Sequence, residues 1–498
     1  MHQDINVLYI GLRPISLQDC PLNIHVTQVQ HGENLQGSYQ VVIIDMILSP
    51  YELENIMDQI PTYGCFITQD VYDYYHINQF VYKKQAKKLV CYEMAFIKTL
   101  ATRFFIEQVA SKISIQNIGV NRSFKGTISY EGRQYMILKG DYGKKWKQTC
   151  YWKKGIEITK EYPMSLWLEY QKDENVHLQV LIEEIKQDTR DHICLVERYN
   201  EGMLDKPLVI DHVPYDGTLH ISLYVKGEGQ LKIGPLHMRQ ERYEEGVLLP
   251  GGQRVNDALR QECLFYYEPG NMKPPLQVHF SSYHQDESFE DIDIMRSMKT
   301  PFIIISDPRL EGGSFYIGSS QYEKSIKMFI QEKMQELHFT NKDLLFSGVS
   351  MGSFGALYYS CDFSPKAIVI GRPLTSLGQV ASNETIFRPE VFPTSLDVLI
   401  QNGDGQLDDT SIAILDARFW NKFDASSFSH TKMAVAYMKD DDYDKDAFTS
   451  LTSHAIGKDM MIYGKGIEGR HNDDPQAVRN WCLMQYHKIM EEDFNHGK

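Results

Sequence analysis

The sequence predicts a mixed α/β protein in three parts. These are an N-terminal degenerate Rossmann-like α/β domain over 1–112, a β-sandwich over 113–242 and a C-terminal doubly wound α/β domain over 243–498. Three observations predict it. The chain has 498 residues, which at about 150 residues per domain is too long for one core. The hydrophobic pattern changes twice, from strand–helix alternation to period-2 segments and back. A Gly–x–Ser–x–Gly turn links an apolar run to a helix-like run in the third part.

Composition narrows the function. There are 51 basic and 66 acidic residues, a net charge of −15, which argues against broad nucleic-acid binding. The eight cysteines are scattered, without a CxxC pair or a Cys/His zinc spacing, as in a reduced cytosolic protein. The first residues, MHQDINVLYI, have neither a basic n-region nor a long apolar h-region. Apolar runs such as 41–44 are soon broken by charges such as Asp45, well short of the about 20 residues that a spanning helix needs. The expected location is cytoplasmic, with peripheral contact at the inner face of the cell membrane left open.

In the first part, apolar strands at 6–10, 23–29, 40–45 and 65–68 alternate with helix-like segments at 50–59 and 92–113. That is a βα pattern and predicts a small parallel sheet. A dinucleotide site would need GxGxxG after the first strand, and Gly11-Leu12-Arg13-Pro14 offers one glycine. A docking or scaffold role is the reading that follows. The basic run at 83–88 reads as a solvated helix face.

The second part carries alternating strands at 126–130, 134–139, 164–170, 176–184, 218–225 and 229–233. Gly140-Asp141 and Lys226-Gly227 read as the turns between them. Trp146, Tyr151, Trp152 and Trp167 lie here, either as core or as a carbohydrate-stacking surface.

In the third part, strands at 263–267, 276–281, 302–306, 343–348, 367–371, 432–438 and 460–463 alternate with helices at 322–337, after 350 and at 475–490. This is an α/β-hydrolase-like layout. Gly348-Val349-Ser350-Met351-Gly352 forms the turn, because small residues must flank a nucleophile held on a tight strand-to-helix elbow. Ser350 is the expected nucleophile. A serine needs an adjacent base, and in this fold the chain order is serine, acid, histidine. His471, after the last strand and before the last helix, is the expected base, with His454 the competitor and His430 out of order. The acid should follow the strand at 432–438, where Asp440, Asp441 and Asp442 are consecutive; Asp441 is taken, the other two staying as alternates. An EF-hand reading of this run fails, because position 6 is Lys445 and position 12 is Leu451. The oxyanion donors expected are the amide of Met351 and one from the stretch Ser281-Ser282-Tyr283, taken as Ser282. No metal site and no bound cofactor are expected.

The segments GVSMGSFGALYY at 348–359, AYMKDDDYD at 436–444 and GRHND at 469–473 give the chain a specific likeness. It resembles, over its whole length, the second accessory Sec protein family, whose system exports serine-rich-repeat glycoprotein adhesins. The resemblance implies an O-acetyltransferase that acetylates N-acetylglucosamine on the adhesin and supports its export. It implies acetyl-CoA as the acetyl donor. The partners implied are the two other accessory Sec proteins, the accessory Sec motor ATPase and the glycoprotein substrate. The family's serine and histidine fall on Ser350 and His471; its acid is a glutamate in some members, where this chain offers aspartates. A carbohydrate esterase and a non-catalytic adaptor of the export complex are the alternatives.

Overall fold

The computed structural model describes residues 4–13, 20–30, 37–75, 78–90, 94–160, 162–187, 193–211, 215–386 and 391–495. Pro14 and Cys91 lie outside them. The described residues form three sheets, each drawn from a continuous stretch of sequence.

The first sheet contains β1 (Ile5–Ile10), β2 (Ile24–Val29), β3 (Val41–Ile44), β4 (Cys65–Thr68) and β5 (Lys87–Leu89). All pairings are parallel, in the order β2-β1-β3-β4-β5. β3 and β4 are buried along their whole length, as expected of strands covered on both faces. The helix expected over 92–113 is shorter. It runs Met94–Arg103, and Ala110–Ile113 becomes strand β6, because residues 236–239 capture it in an antiparallel ladder. Sequence periodicity could not register a partner more than a hundred residues away.

β6 belongs to the second sheet. The other members are β7 (Ile118–Val120), β8 (Thr127–Glu131), β9 (Tyr135–Trp152), β10 (Ile156–Ile158), β11 (Met164–Lys172), β12 (Val176–Lys186), β13 (Ile193–Asn200), β14 (Leu208–Ile210) and β15 (Gly217–Gln240). Two expected turns are absent. β9 runs through Gly140-Asp141, and β15 runs through Lys226-Gly227 for 24 residues. The glycines instead lie in and beside a bulge: Gly143, Gly227 and Gly229 have φ of 85°, 103° and 140°, and the β9–β15 register slips beside Gly227. All ten strands therefore hydrogen-bond into one bent sheet around one core. Trp152 and Trp167 are buried, whereas Trp146 and Tyr151 are exposed.

The third sheet comprises β16 (Gln253–Asn256), β17 (Glu262–Glu268), β18 (Leu276–Phe280), β19 (Phe302–Ser306), β20 (Leu344–Val349), β21 (Ala367–Gly371), β22 (Ser429–Met438) and β23 (Asp459–Ile467). Their order is β16-β17-β19-β18-β20-β21-β22-β23, parallel from β19 onward. Helices Ser320–Leu337, Met351–Phe363 and Asp409–Ala425 pack on one face, and Ile292–Ser297 and Pro475–Phe494 on the other. Covered on both sides, the central strands β18, β19 and β21 are wholly buried. Among the described residues no helix is long and apolar enough to cross a membrane.

The second and third sheets are joined by a buried network of charges. His237 on β15 is fully buried, with Nδ1 2.5 Å from Glu287 and Nε2 2.8 Å from Glu169. Arg239, two residues on, bonds Glu287 at 2.5 Å and forks onto Glu262 at 2.7 and 3.2 Å. Arg254 bonds Glu262 from the other side at 2.5 Å. Burial alone would push the His237 pKa down, but the two flanking carboxylates outweigh it and raise it to about 9. Burial likewise opposes ionisation of Glu287, yet Arg239 and His237 hold its pKa at about 2.

His237 therefore stabilises the fold fully below its unfolded pKa of about 6.5, and that stability is lost as pH rises through about 9. The midpoint of thermal unfolding should fall between pH 7 and pH 10, and His237→Gln should flatten that fall. Arg239→Leu, which strips a buried partner from two carboxylates, should cost about 3–5 kcal/mol in urea unfolding.

Candidate active site

Strand β20 ends in the tight turn that holds Ser350. Its backbone sits at φ 54°, ψ −119°, a sparsely populated region for a non-glycine residue. The flanking glycines explain how the turn closes. A Cβ on Gly348 would lie 2.2 Å from the Gly352 carbonyl oxygen, and one on Gly352 would lie 2.1 Å from that of Phe280. The turn is pinned by the Ser350 amide, which donates to Gly371 at 2.9 Å, and by the Ser353 hydroxyl, which donates to the Ser350 carbonyl at 2.6 Å.

The structure brings Ser350, His471 and Asp441 together. Ser350 Oγ lies 2.8 Å from His471 Nε2. His471 Nδ1 lies 2.9 and 3.2 Å from the two carboxylate oxygens of Asp441. Nδ1 donates to the carboxylate, which leaves Nε2 to accept the serine proton. Burial would raise the Asp441 pKa, but the His471 hydrogen bond and the amides of Tyr443 and Asp444 outweigh it and hold the carboxyl below its ordinary value. His471 itself is fully buried, and the Tyr443 ring meets it edge-on with centroids 4.2 Å apart.

The three consecutive aspartates have separate positions. Asp441 faces the imidazole, Asp442 accepts the His471 backbone amide at 3.0 Å, and Asp440 is exposed. His454 is elsewhere, 2.7 Å from Asp424 and stacked on Trp420. His430 is elsewhere too, beside Asp459.

Met351 opens the helix Met351–Phe363, so its amide belongs to the first turn, where N–H groups have no intrahelical acceptor. Ser282 is a correction. Its amide and its hydroxyl both donate to Glu290, at 2.9 and 2.8 Å, and the Ser281 amide donates to Ile305 at 3.0 Å. A carboxylate eight residues downstream, invisible to local motif reading, takes the amide that the motif position promised.

Several neighbours carried no sequence signal. Asp444 accepts the amides of Thr375 and Ser376 at 2.7 and 2.9 Å, tying the acid loop to the chain after β21. An aromatic arc continues from Tyr443 to Phe392 (5.6 Å) and on to Tyr283 (5.1 Å). On the acid side opens a groove of about 1140 Å³, lined by six aspartates against Lys445 and Arg470. Among the described residues no group of three or more His, Cys, Asp and Glu is placed to hold a metal ion.

The fold and this geometry define a class, that of chains with a Ser–His–Asp constellation on a strand-to-helix elbow. The chain belongs, more particularly, to the accessory Sec system GspB-transporter family, whose model matches residues 3–496. It is 40% identical over 392 residues to an accessory Sec system protein of Staphylococcus aureus (strain NCTC 8325 / PS 47), covering 78% of this chain and 74% of the relative. It is 38% identical over 403 residues to an accessory Sec system protein of Streptococcus gordonii, covering 81% and 78% of the two chains. A chain in the structure of the Glycosylation Associate Protein (Gap123) complex from Streptococcus agalactiae is similar along 99% of both chains, with a TM-score of 0.91 and 31% identity.

A fluorophosphonate probe should label wild-type protein at Ser350, read by peptide mass spectrometry, and leave Ser350→Ala unlabelled. His471→Ala should slow labelling by about 10²–10⁴-fold, the usual worth of a general base.

Proposed function

We propose that this chain is an O-acetyltransferase of the accessory Sec system, which acetylates N-acetylglucosamine on serine-rich-repeat glycoprotein adhesins and supports their export. The observation that carries the chemistry is the continuous hydrogen-bonded line from Ser350 through His471 to Asp441. The substrate and the export role rest on the family.

In this reading His471 takes the Ser350 proton as Oγ attacks the acetyl carbonyl of acetyl-CoA. The thiolate of the donor leaves with that proton, and the acetyl group stays on Oγ. A sugar hydroxyl then gives its proton to His471 and takes the acetyl group, restoring Ser350. Asp441 holds the imidazole in the required tautomer and stabilises it when charged. The Met351 amide supports the oxyanion, and with Ser282 committed to Glu290 the second donor is assigned to Tyr283. The acid-side groove, with six aspartates against two cations, offers no seat to the donor's phosphates, so its nucleotide end binds elsewhere. The partners in this reading are the two other accessory Sec proteins, the motor ATPase and the glycoprotein, and the site of action is the cytoplasmic side of the membrane.

Ser350→Ala should lower acetyl transfer by about 10⁶-fold and Asp441→Asn by about 10⁴-fold. Mass spectrometry of the exported glycan should show acetyl groups with wild type and none with Ser350→Ala. Hydrolysis of an acetyl ester that always exceeds transfer to sugar would replace this reading with that of an esterase.

A further inference from the structure

A second cleft, of about 410 Å³, lies between the bent sheet and the third sheet. Ligand clefts run from about 300 to about 1,000 Å³. One wall carries Ser114 and Asn117, and the other carries Gln285, Asp286 and Glu311. This cleft is separate from the acid-side groove, yet both of its catalytic-domain segments continue directly into the nucleophile's surroundings.

Gln285 lies two residues after Tyr283, whose side chain bonds both Gln285 and Thr394 and whose ring closes the aromatic arc over His471. Glu311 lies two residues before Gly313, where a Cβ would come within 2.5 Å of the Met351 side chain. The intervening Gly312 leaves room for the Tyr283 ring, which a Cβ there would meet at 2.2 Å. Both segments therefore run from the cleft into the side chains packed around the elbow, Tyr283 on one and the Met351 neighbour Gly313 on the other.

The chemistry of the lining is that of a neutral polyol site. Its cations are already engaged: Lys112 donates to the Pro308 carbonyl at 2.7 Å, and Arg133 pairs with Glu311 at 3.7 Å. The rest of the lining is hydroxyl, carboxamide and carboxylate, which bond sugar hydroxyls, and the carboxylates Asp286, Glu311 and Asp397 outnumber the cations Lys112 and Arg133, which disfavours a phosphate. The walls are also fixed in advance. Glu287, next to Asp286, is locked by His237 and Arg239, and the Arg133 amide donates to Asp397 at 2.6 Å. A preformed polar cleft loses little ordering entropy on binding.

We infer that this interdomain cleft is a subsite for a neutral sugar unit, the one adjoining the sugar acetylated at Ser350, with Tyr283 as the platform between the two. The inference rests on the acyl-transfer reading only for what sits at Ser350; sugar binding in the cleft needs no chemistry.

The test is direct binding, by titration calorimetry on the Ser350→Ala chain, of the β-1,4-linked disaccharide of N-acetylglucosamine against its monosaccharide. Losing two or three buried hydrogen bonds corresponds to about tenfold or more in affinity. The disaccharide should bind at least about tenfold more tightly than the monosaccharide, and Ser114→Trp, which fills the cleft, should remove that advantage. Gln285→Ala, a milder change, should weaken the disaccharide about three- to tenfold, with thermal unfolding confirming that each variant is folded. Equal binding of the two saccharides, or disaccharide affinity unmoved in both variants, overturns the inference. So does tighter binding of a sugar phosphate than of the neutral disaccharide. Transfer to the same saccharides by wild-type chain is scored separately. Absent transfer with the expected binding pattern removes the acyl-transfer reading and leaves the sugar site standing.

Discussion

The end of β18 passes so close to the start of the helix Met351–Phe363 that no Cβ fits between them, and the candidate site is built around that approach. The Phe280 carbonyl lies 2.1 Å from where a side chain at Gly352 would begin. The same approach sets the Met351 amide beside the loop that leaves β18, which is the geometry an oxyanion site needs. Ser350, at the start of that helix, sits in a strained conformation, a cost of about 1–3 kcal/mol that the surrounding packing must offset. That packing is a sheet whose central strands are wholly buried between helices on both faces. A strained serine on a mobile loop would relax; here the Gly371 carbonyl and the Ser353 hydroxyl hold both of its ends.

The bent sheet is bolted to this domain through ions. Glu169, His237 and Arg239 come from one side, and Arg254, Glu262 and Glu287 from the other. Such networks are costly to bury and strongly destabilising to break, so they fix geometry more than they add stability. Glu287 lies in the segment that leaves β18 and carries Tyr283. Its ion pairs therefore couple the placement of the bent sheet to the shape of the site. The N-terminal sheet is attached through Tyr63 to the Tyr267 carbonyl, Tyr82 to Glu336 and Lys87 to the buried Glu245.

Some of this was legible in the chain. The strand–helix alternation placed nearly every strand of the first and third sheets, because buried parallel strands are short apolar runs that need no partner to be recognised. The residues that meet at the elbow were legible from spacing and order. The long strands of the middle sheet were not. Gly140, Gly143, Gly227 and Gly229 carry the local signal of turns, and only pairing of the two long strands over their full length carries the chain straight through them, with the register slipping beside Gly143 and Gly227. Ser282 failed for a related reason: which amide remains for a ligand depends on where Glu290 folds back.

The sequence by itself determined the elbow, the order of serine, acid and histidine, and the family, since these rest on local residue type and spacing. Tertiary structure alone decided which of three adjacent aspartates faces the imidazole, because a one-residue difference in a turn reverses the direction of a side chain. It alone decided that Trp152 and Trp167 are core, and that the aromatic rings nearest His471 are Tyr443, Phe392 and Tyr283. These three lie 283 to 443 along the chain, and only packing against one another gives them a shared surface.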